Sequence, residues 1–139
     1  PMVAKGILHP KDAERAVSLG LDGIVVTNHG GRQIEALPAS IDVLPEIASA
    51  VGNKITIIFD SGIRSGIDVA RAIAVGADAA FAGKAFLWSL GALGEVGPKH
   101  LGNTFIEELA STLGQLGCET VSDLHGVQVR HPTAYWAKT

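Results

Sequence analysis

Cysteine occurs once, at Cys118, so no intrachain disulfide can form and nothing points to an oxidising compartment. The expected setting is the cytosol. Aromatic residues make up only 5% of the chain against 17 glycines, a balance foreign to a β-sandwich and suited to a fold with many strand-to-helix turns. No run of Lys and Arg interleaved with aromatics occurs, and a net charge of -3 provides no broad cationic field. Nucleic acid is therefore not an expected partner. The longest apolar stretch, from Ala79 to Leu93, is broken by Lys84 and by glycines and falls short of the ~20 residues a membrane span requires. It reads as core. No linker rich in Ser, Pro or Gly divides the chain, so no internal domain boundary is placed. The chain opens Pro-Met-Val-Ala-Lys with neither an initiator methionine nor a charged-then-apolar leader, and the expectation is a start inside a longer polypeptide.

What is present is a regular alternation. Short apolar runs rich in β-branched residues are separated by segments of helical period, the pattern of repeated strand-helix units on a parallel sheet. Four units are expected. Strands at about Met2 to Lys5, Gly23 to Val26, Ile55 to Phe59 and Ala79 to Ala82 alternate with helices near Lys11 to Leu19, Ser40 to Val51, from Ser65 to Gly76, and Ala85 to Leu90. Gly20 reads as the stop of the first helix, Pro45 as a first-turn residue, and Ser65 with Asp68 as a capping pair. A longer helix follows from Lys99 to Leu116, softened near Gly102, then a short one from Thr120 and an extended tail beyond His125. Strict alternation excludes all-α and all-β classes and leaves a doubly wound sheet or a closed barrel.

The polar residues decide between these. Lys5, then Thr27, His29 and Arg32, then Asp60 and Arg64, then Gly83 and Lys84 all fall at or just after strand C-terminal ends. In a parallel barrel those ends form one rim, so four loops converge on one site. The expected fold is thus α/β, the C-terminal half (last four βα units) of a TIM (β/α)8 barrel, with residues facing its interior around Val25, Ile57 and Phe81. His29 and Arg32 share one glycine-loosened loop. Histidine titrates near neutrality and can take a proton, and a guanidinium binds a carboxylate through two parallel hydrogen bonds. Together they suit an acid with a reactive neighbour. The segment Asp60-Ser61-Gly62-Ile63-Arg64-Ser65-Gly66, between a strand and a helix N-terminus, outlines a phosphate cradle, and Ala82-Gly83-Lys84 gives a second glycine-cation turn beside it.

These motifs carry a resemblance. Val-x-Lys-Gly-Ile, Val-Val-Thr-Asn-His-Gly-Gly-Arg-Gln, Asp-Ser-Gly-Ile-Arg-Ser-Gly-x-Asp-Val and Ala-Gly-Lys-Ala-Phe stand in the order found in the FMN-dependent 2-hydroxy-acid oxidase and dehydrogenase family, which includes glycolate oxidase, lactate dehydrogenases and mandelate dehydrogenase. The resemblance implies FMN as cofactor and oxidation of a lactate- or glycolate-like 2-hydroxy acid to the 2-oxo acid, with the flavin reoxidised by oxygen or another acceptor. It places Lys5 against the pyrimidine edge of the flavin, Thr27 nearby, Asp60, Ser61, Gly62, Ile63 and Arg64 on ribityl and phosphate oxygens, and Gly83 and Lys84 on the phosphate. His29 would take the substrate proton and Arg32 would hold its carboxylate. Lys84 departs from the family's usual Arg and loses the bidentate fork. The family's first four strands, its substrate-binding tyrosines and the aspartate that pairs with the catalytic histidine have no counterpart here; Tyr135, the only tyrosine, is no substitute. The implied partners are therefore the missing N-terminal half or another copy of the chain, in a homo-oligomer.

Two other readings stand beside this one: another FMN barrel such as a type 2 isopentenyl-diphosphate isomerase, and a half-barrel assembly module that binds phosphate without chemistry. The substrate of the isomerase has no carboxylate for Arg32. His9, His100, His125 and His131 lack metal-ligand spacing and read as cap, loop or surface residues, so no metal site is expected. Glu107-Glu108 reads as a solvated helix face, Cys118 as an ordinary helix-end residue, and Phe86 and Trp88 as packing behind the phosphate loop.

Overall fold

A computed structural model describes residues 1–129; the readings placed on His131 and Tyr135 lie outside the described residues. Strand β1 (Val3–Ile7) leads to helix α1 (Pro10–Ser18), β2 (Gly23–Val26) to α2 (Ser40–Val51), β3 (Thr56–Asp60) to α3 (Gly66–Ala74), and β4 (Ala79–Phe81) to α4 (Lys84–Leu93) and α5 (Gly97–Leu116). A final 3-10 turn covers Val121–Gly126. The four strands pair in parallel in the order β1-β2-β3-β4. Parallel strands in sequential order, each returned by a helix, make half of a (β/α)8 barrel.

Register assigns the two faces of the sheet. Ala4, Ile24 and Ile57 lie side by side, as do Val26, Phe59 and, beyond Phe59, Ala80. These share one core with Leu44, Ile47 and Val51 of α2 and Ala70 and Ile73 of α3. Lys5, Val25, Ile58 and Ala79 form the alternate row, with Asp60 and Phe81 beyond it. Ile57 therefore packs under the helices, and Ile58 takes the place expected for it on the barrel face. Near-continuous apolar strands carry no alternation from which the face could be read. Phe81 is half exposed on that face, as is Val3 on edge strand β1.

Most helix ends follow from local chemistry. The His9 ring Nδ1 accepts the Lys11 N–H at 3.1 Å, Pro10 opens α1, and Leu19 caps its end with Gly20 beyond it in the left-handed region. Ser65 Oγ accepts the Asp68 N–H at 3.2 Å while Asp68 accepts the Arg64 N–H at 3.1 Å. Pro45, however, is inside α2 and not in its first turn. Leu44, Ile47 and Val51 are fully buried on its inner face, and that tertiary packing holds the helix through the missing N–H. Helix α5 likewise runs unbroken through Gly102.

Helices α3 and α5 meet at a glycine. A Cβ at Gly66 would overlap the Phe105 carbonyl and the Leu109 backbone nitrogen, and the Gly66 N–H donates to Glu108 at 2.6 Å. Gly102, in contrast, has open space where a Cβ would go. Gly66→Ala is expected to destabilise the protein by about 1 to 3 kcal/mol through overpacking, and Gly102→Ala to stabilise it by about 0.4 to 1 kcal/mol by restricting the unfolded chain. Denaturant unfolding of the two variants should give opposite signs; equal signs would mean the α3–α5 contact is not as described.

Candidate active site

Strand β2 is buried along its whole length, and the residue after it, Thr27, is fully buried too. A buried hydroxyl needs its one proton and two lone pairs satisfied. Thr27 Oγ1 lies 2.8 Å from Asp60 Oδ2, 2.8 Å from Ser61 Oγ and 3.0 Å from the His29 N–H. An ionised carboxylate only accepts, so the Thr27 proton goes to Asp60. Ser61 must then donate to Thr27, which leaves Ser61 Oγ free to accept the Gly30 N–H at 3.0 Å. Every proton in the cluster is thereby assigned, and the ends of β2 and β3 are joined to the loop after β2.

Lys5 and Asp60 occupy the barrel face of β1 and β3, and Lys5 Nζ reaches Asp60 Oδ2 at 2.9 Å. Burial raises the Asp60 pKa, but the hydrogen bonds from Lys5 and Thr27, the Lys5 charge and the Ser61 N–H outweigh it, and the net shift is downward. The loop after β2 is tied by Asn28, whose side chain accepts the Gly30 N–H at 3.0 Å and donates to the Pro38 carbonyl at 3.2 Å. The Asn28 N–H donates to Ser40 Oγ at 2.9 Å, so Ser40 serves this loop instead of capping α2. His29 is held at φ +56, a conformation that costs a non-glycine residue about 1 to 3 kcal/mol. Neither its imidazole nor the exposed Arg32 guanidinium has a hydrogen-bond partner among the described residues.

Both side chains line an open cleft of about 660 Å³ together with Lys5, Asp60, Ser61, Gly62, Ile63, Arg64, Gly83 and Lys84. Of the residues expected to touch substrate or cofactor, Thr27 does not line the cleft and lies buried beside Asp60 and Ser61, and Ser65 and Gly66 of the expected cradle do not line it either. Helix α4, whose first residue Lys84 lines the cleft, begins without a side-chain cap, which leaves its first-turn N–H groups unfilled, and Gly83 and Gly62 leave open space beside the backbone. Arg64 lies over the Trp88 ring at 5.4 Å, and Lys84 Nζ donates to the Gly30 carbonyl at 2.8 Å.

The start of α3 differs from the expected cradle. Ser65, Asp68 and Glu108 occupy its N–H groups, so the chain's own carboxylates take the place an anion would have. Glu108, expected on a solvated face, is the residue that sequence reasoning missed; its partner Gly66 is 42 positions away and no local pattern links them. Asn28 and Ser40 were missed as loop anchors for the same reason. Among the described residues no group of three or more His, Cys, Asp and Glu comes together, and no helix is long and apolar enough to cross a membrane.

Comparison with known proteins places these features in a family. The profile of the FMN-dependent dehydrogenases matches residues 1–131. The chain is 48% identical over 124 residues to an L-lactate dehydrogenase of Pectobacterium atrosepticum, covering 89% of this chain and 32% of that protein. It is 48% identical over 123 residues to the L-lactate dehydrogenase of Bartonella tribocorum, covering 88% and 32%. The chain thus spans about a third of the curated relatives it matches. Among solved structures, mandelate oxidase with benzoyl-formic acid superposes with a TM-score of 0.90 at 42% identity, over 94% of this chain and 39% of that one. A mandelate oxidase variant with the monooxide FMN adduct also gives 0.90 at 42% identity, over 94% and 41%.

The Asp60 shift sets a pH dependence. Because its folded pKa lies below the ordinary aspartate value near 3.8, the stability it contributes is fully present above that value and is lost as pH falls through the folded pKa. Asp60→Asn should therefore unfold earlier than the native protein at pH 6 to 7, and the gap should narrow as the pH is lowered through roughly 4. A gap that stays constant down to acid pH would show that the carboxylate charge does not hold Lys5 and Thr27.

Proposed function

The chain belongs to the FMN-dependent dehydrogenase family, and from that premise we propose that the complete protein oxidises a small 2-hydroxy acid to the corresponding 2-oxo acid. The observation that carries this reading is one cleft lined by His29 and Arg32, whose imidazole and guanidinium have no partner among the described residues, and by Arg64, Gly83 and Lys84, the last two at the uncapped start of α4. FMN, when bound, supplies the acceptor for the two electrons that leave the substrate.

The donor set fits that cofactor. Arg64, held over Trp88, and Lys84, with Gly83 and the uncapped start of α4, offer a phosphate dianion positive charge and N–H groups, and the two glycines leave the backbone approachable. Ser61, Gly62 and Ile63 would meet the ribityl chain. Lys5, oriented by Asp60, would place an ammonium against the oxygen-rich edge of the ring system. Thr27 would act at one remove, through Asp60 and Ser61.

Arg32 would clamp the substrate carboxylate through its planar fork. His29 would accept a proton from the substrate as the electrons depart, through an imidazole that lines the cleft and has no hydrogen-bond partner among the described residues. We place residues 1 to 139 as the C-terminal four units of a longer barrel. The half-exposed Phe81 and Val3 and the open edges of β1 and β4 give the remaining units, or a second copy of the chain, an apolar surface to cover. The cytosol is the compartment this reading assumes.

The test is anaerobic flavin reduction in the full-length protein. In Arg32→Lys, loss of charged hydrogen bonds at about 1.5 to 3 kcal/mol each should raise KM for a 2-hydroxy acid by roughly 10-fold or more while FMN is retained. In His29→Gln the flavin should stay bound and its bleaching by substrate should slow by about 10² to 10⁴-fold. Rapid bleaching in the His29 variant, or equal KM changes for acids and for neutral alcohols in the Arg32 variant, would remove those residues from the reaction.

A further inference from the structure

Strand β1 carries an irregularity next to the proposed base. Its pairing with β2 runs Val3 with Gly23, Ala4 with Ile24 and Lys5 with Val25, then jumps to Ile7 with Val26. Gly6 is the extra residue, and it stands at φ +110, where a side chain is strained. The space its missing side chain leaves is not general. A Cβ at Gly6 would lie 3.1 Å from His29 Nε2 and 3.8 Å from His29 Cε1, and no other atom of the surroundings comes within 4 Å.

Among the described residues the His29 ring has few other restraints. No hydrogen bond holds its imidazole among the described residues, and its backbone sits in the left-handed region, set by the Thr27 hydroxyl at 3.0 Å from its N–H. We infer that Gly6 is a positioning residue for His29: the bulge, lacking a side chain, forms the seat in which the Nε2 edge of the imidazole rests. The catalytic consequence rests on the proposed role of His29, but the seat itself does not. A side chain at Gly6 would act in two separable ways, through backbone strain that is independent of His29 and through overlap that requires the ring.

A double-mutant cycle in the full-length protein separates them. Gly6→Ala should lower the unfolding midpoint more with His29 present than in a His29→Ala background, by at least about 3 °C. With FMN retained and KM within about threefold, Gly6→Ala should reduce the maximal rate of flavin reduction at least tenfold, because the ring is displaced and substrate binding is not. Should Gly6→Ala fail to fold in either background, the unsubstituted protein decides: with selectively labelled His and Gly, a nuclear Overhauser contact between a Gly6 Hα and the His29 ring Hε1 is expected, and its absence overturns the seat. Equal midpoint losses in the two backgrounds overturn it as well. Coupled midpoints with an unchanged reduction rate would uphold the seat and remove His29 as the base.

Discussion

The buried hydroxyl of Thr27 is the constraint on which the rest of the site depends. Full burial forces it to use both its proton and its lone pairs inside the protein, and the three groups within reach are Asp60, Ser61 and the His29 N–H. Because the carboxylate cannot donate, the direction of each hydrogen bond in the cluster follows. Lys5 is then drawn to Asp60, Gly30 to Ser61, and His29 is held in a conformation its side chain disfavours. Three strand ends and one loop are fixed by a single atom, in a satisfied network of the kind that rigidifies.

The helices that follow β3 and β4 begin differently. The chain fills one helix N-terminus with its own acids, at α3, and leaves another open, at α4. Arg64 and Lys84 line the same cleft as that uncapped start. Lys84 also holds the Gly30 carbonyl, so the start of α4 and the loop that carries His29 are in direct contact across the end of β3.

Much of this was legible in the sequence for a simple reason: polar residues at the ends of parallel strands meet because the strands align. The positions of Lys5, His29, Arg32, Asp60, Arg64 and Lys84 along the alternation were enough to bring them to one cleft. The limits of Gly23–Val26 and Ser40–Val51 agree with the structure because Gly, Pro and Ser bracket them. What depended on long-range contact was not legible. Ile57 faces the helices because of register, Pro45 is carried inside α2 by the burial of Leu44 and Ile47, and Glu108 caps α3 only because Gly66 lets α5 approach. Thr27, expected near the cofactor, is fully buried among the described residues, and the partners of its hydroxyl could not be read from its place in the chain.

The central claim is that one buried hydroxyl organises the loop that carries His29, and it is tested most directly by comparing Thr27→Val with Thr27→Ser in the full-length protein. Valine keeps the shape and removes the hydroxyl, leaving Asp60 and Ser61 short of a partner, whereas serine keeps the hydroxyl and loses only a methyl group. The account expects flavin reduction at saturating 2-hydroxy acid to fall at least about tenfold in the valine variant and to remain within about threefold of the native rate in the serine variant. Native reduction by Thr27→Val with FMN bound, or an equal loss in both variants, would contradict it.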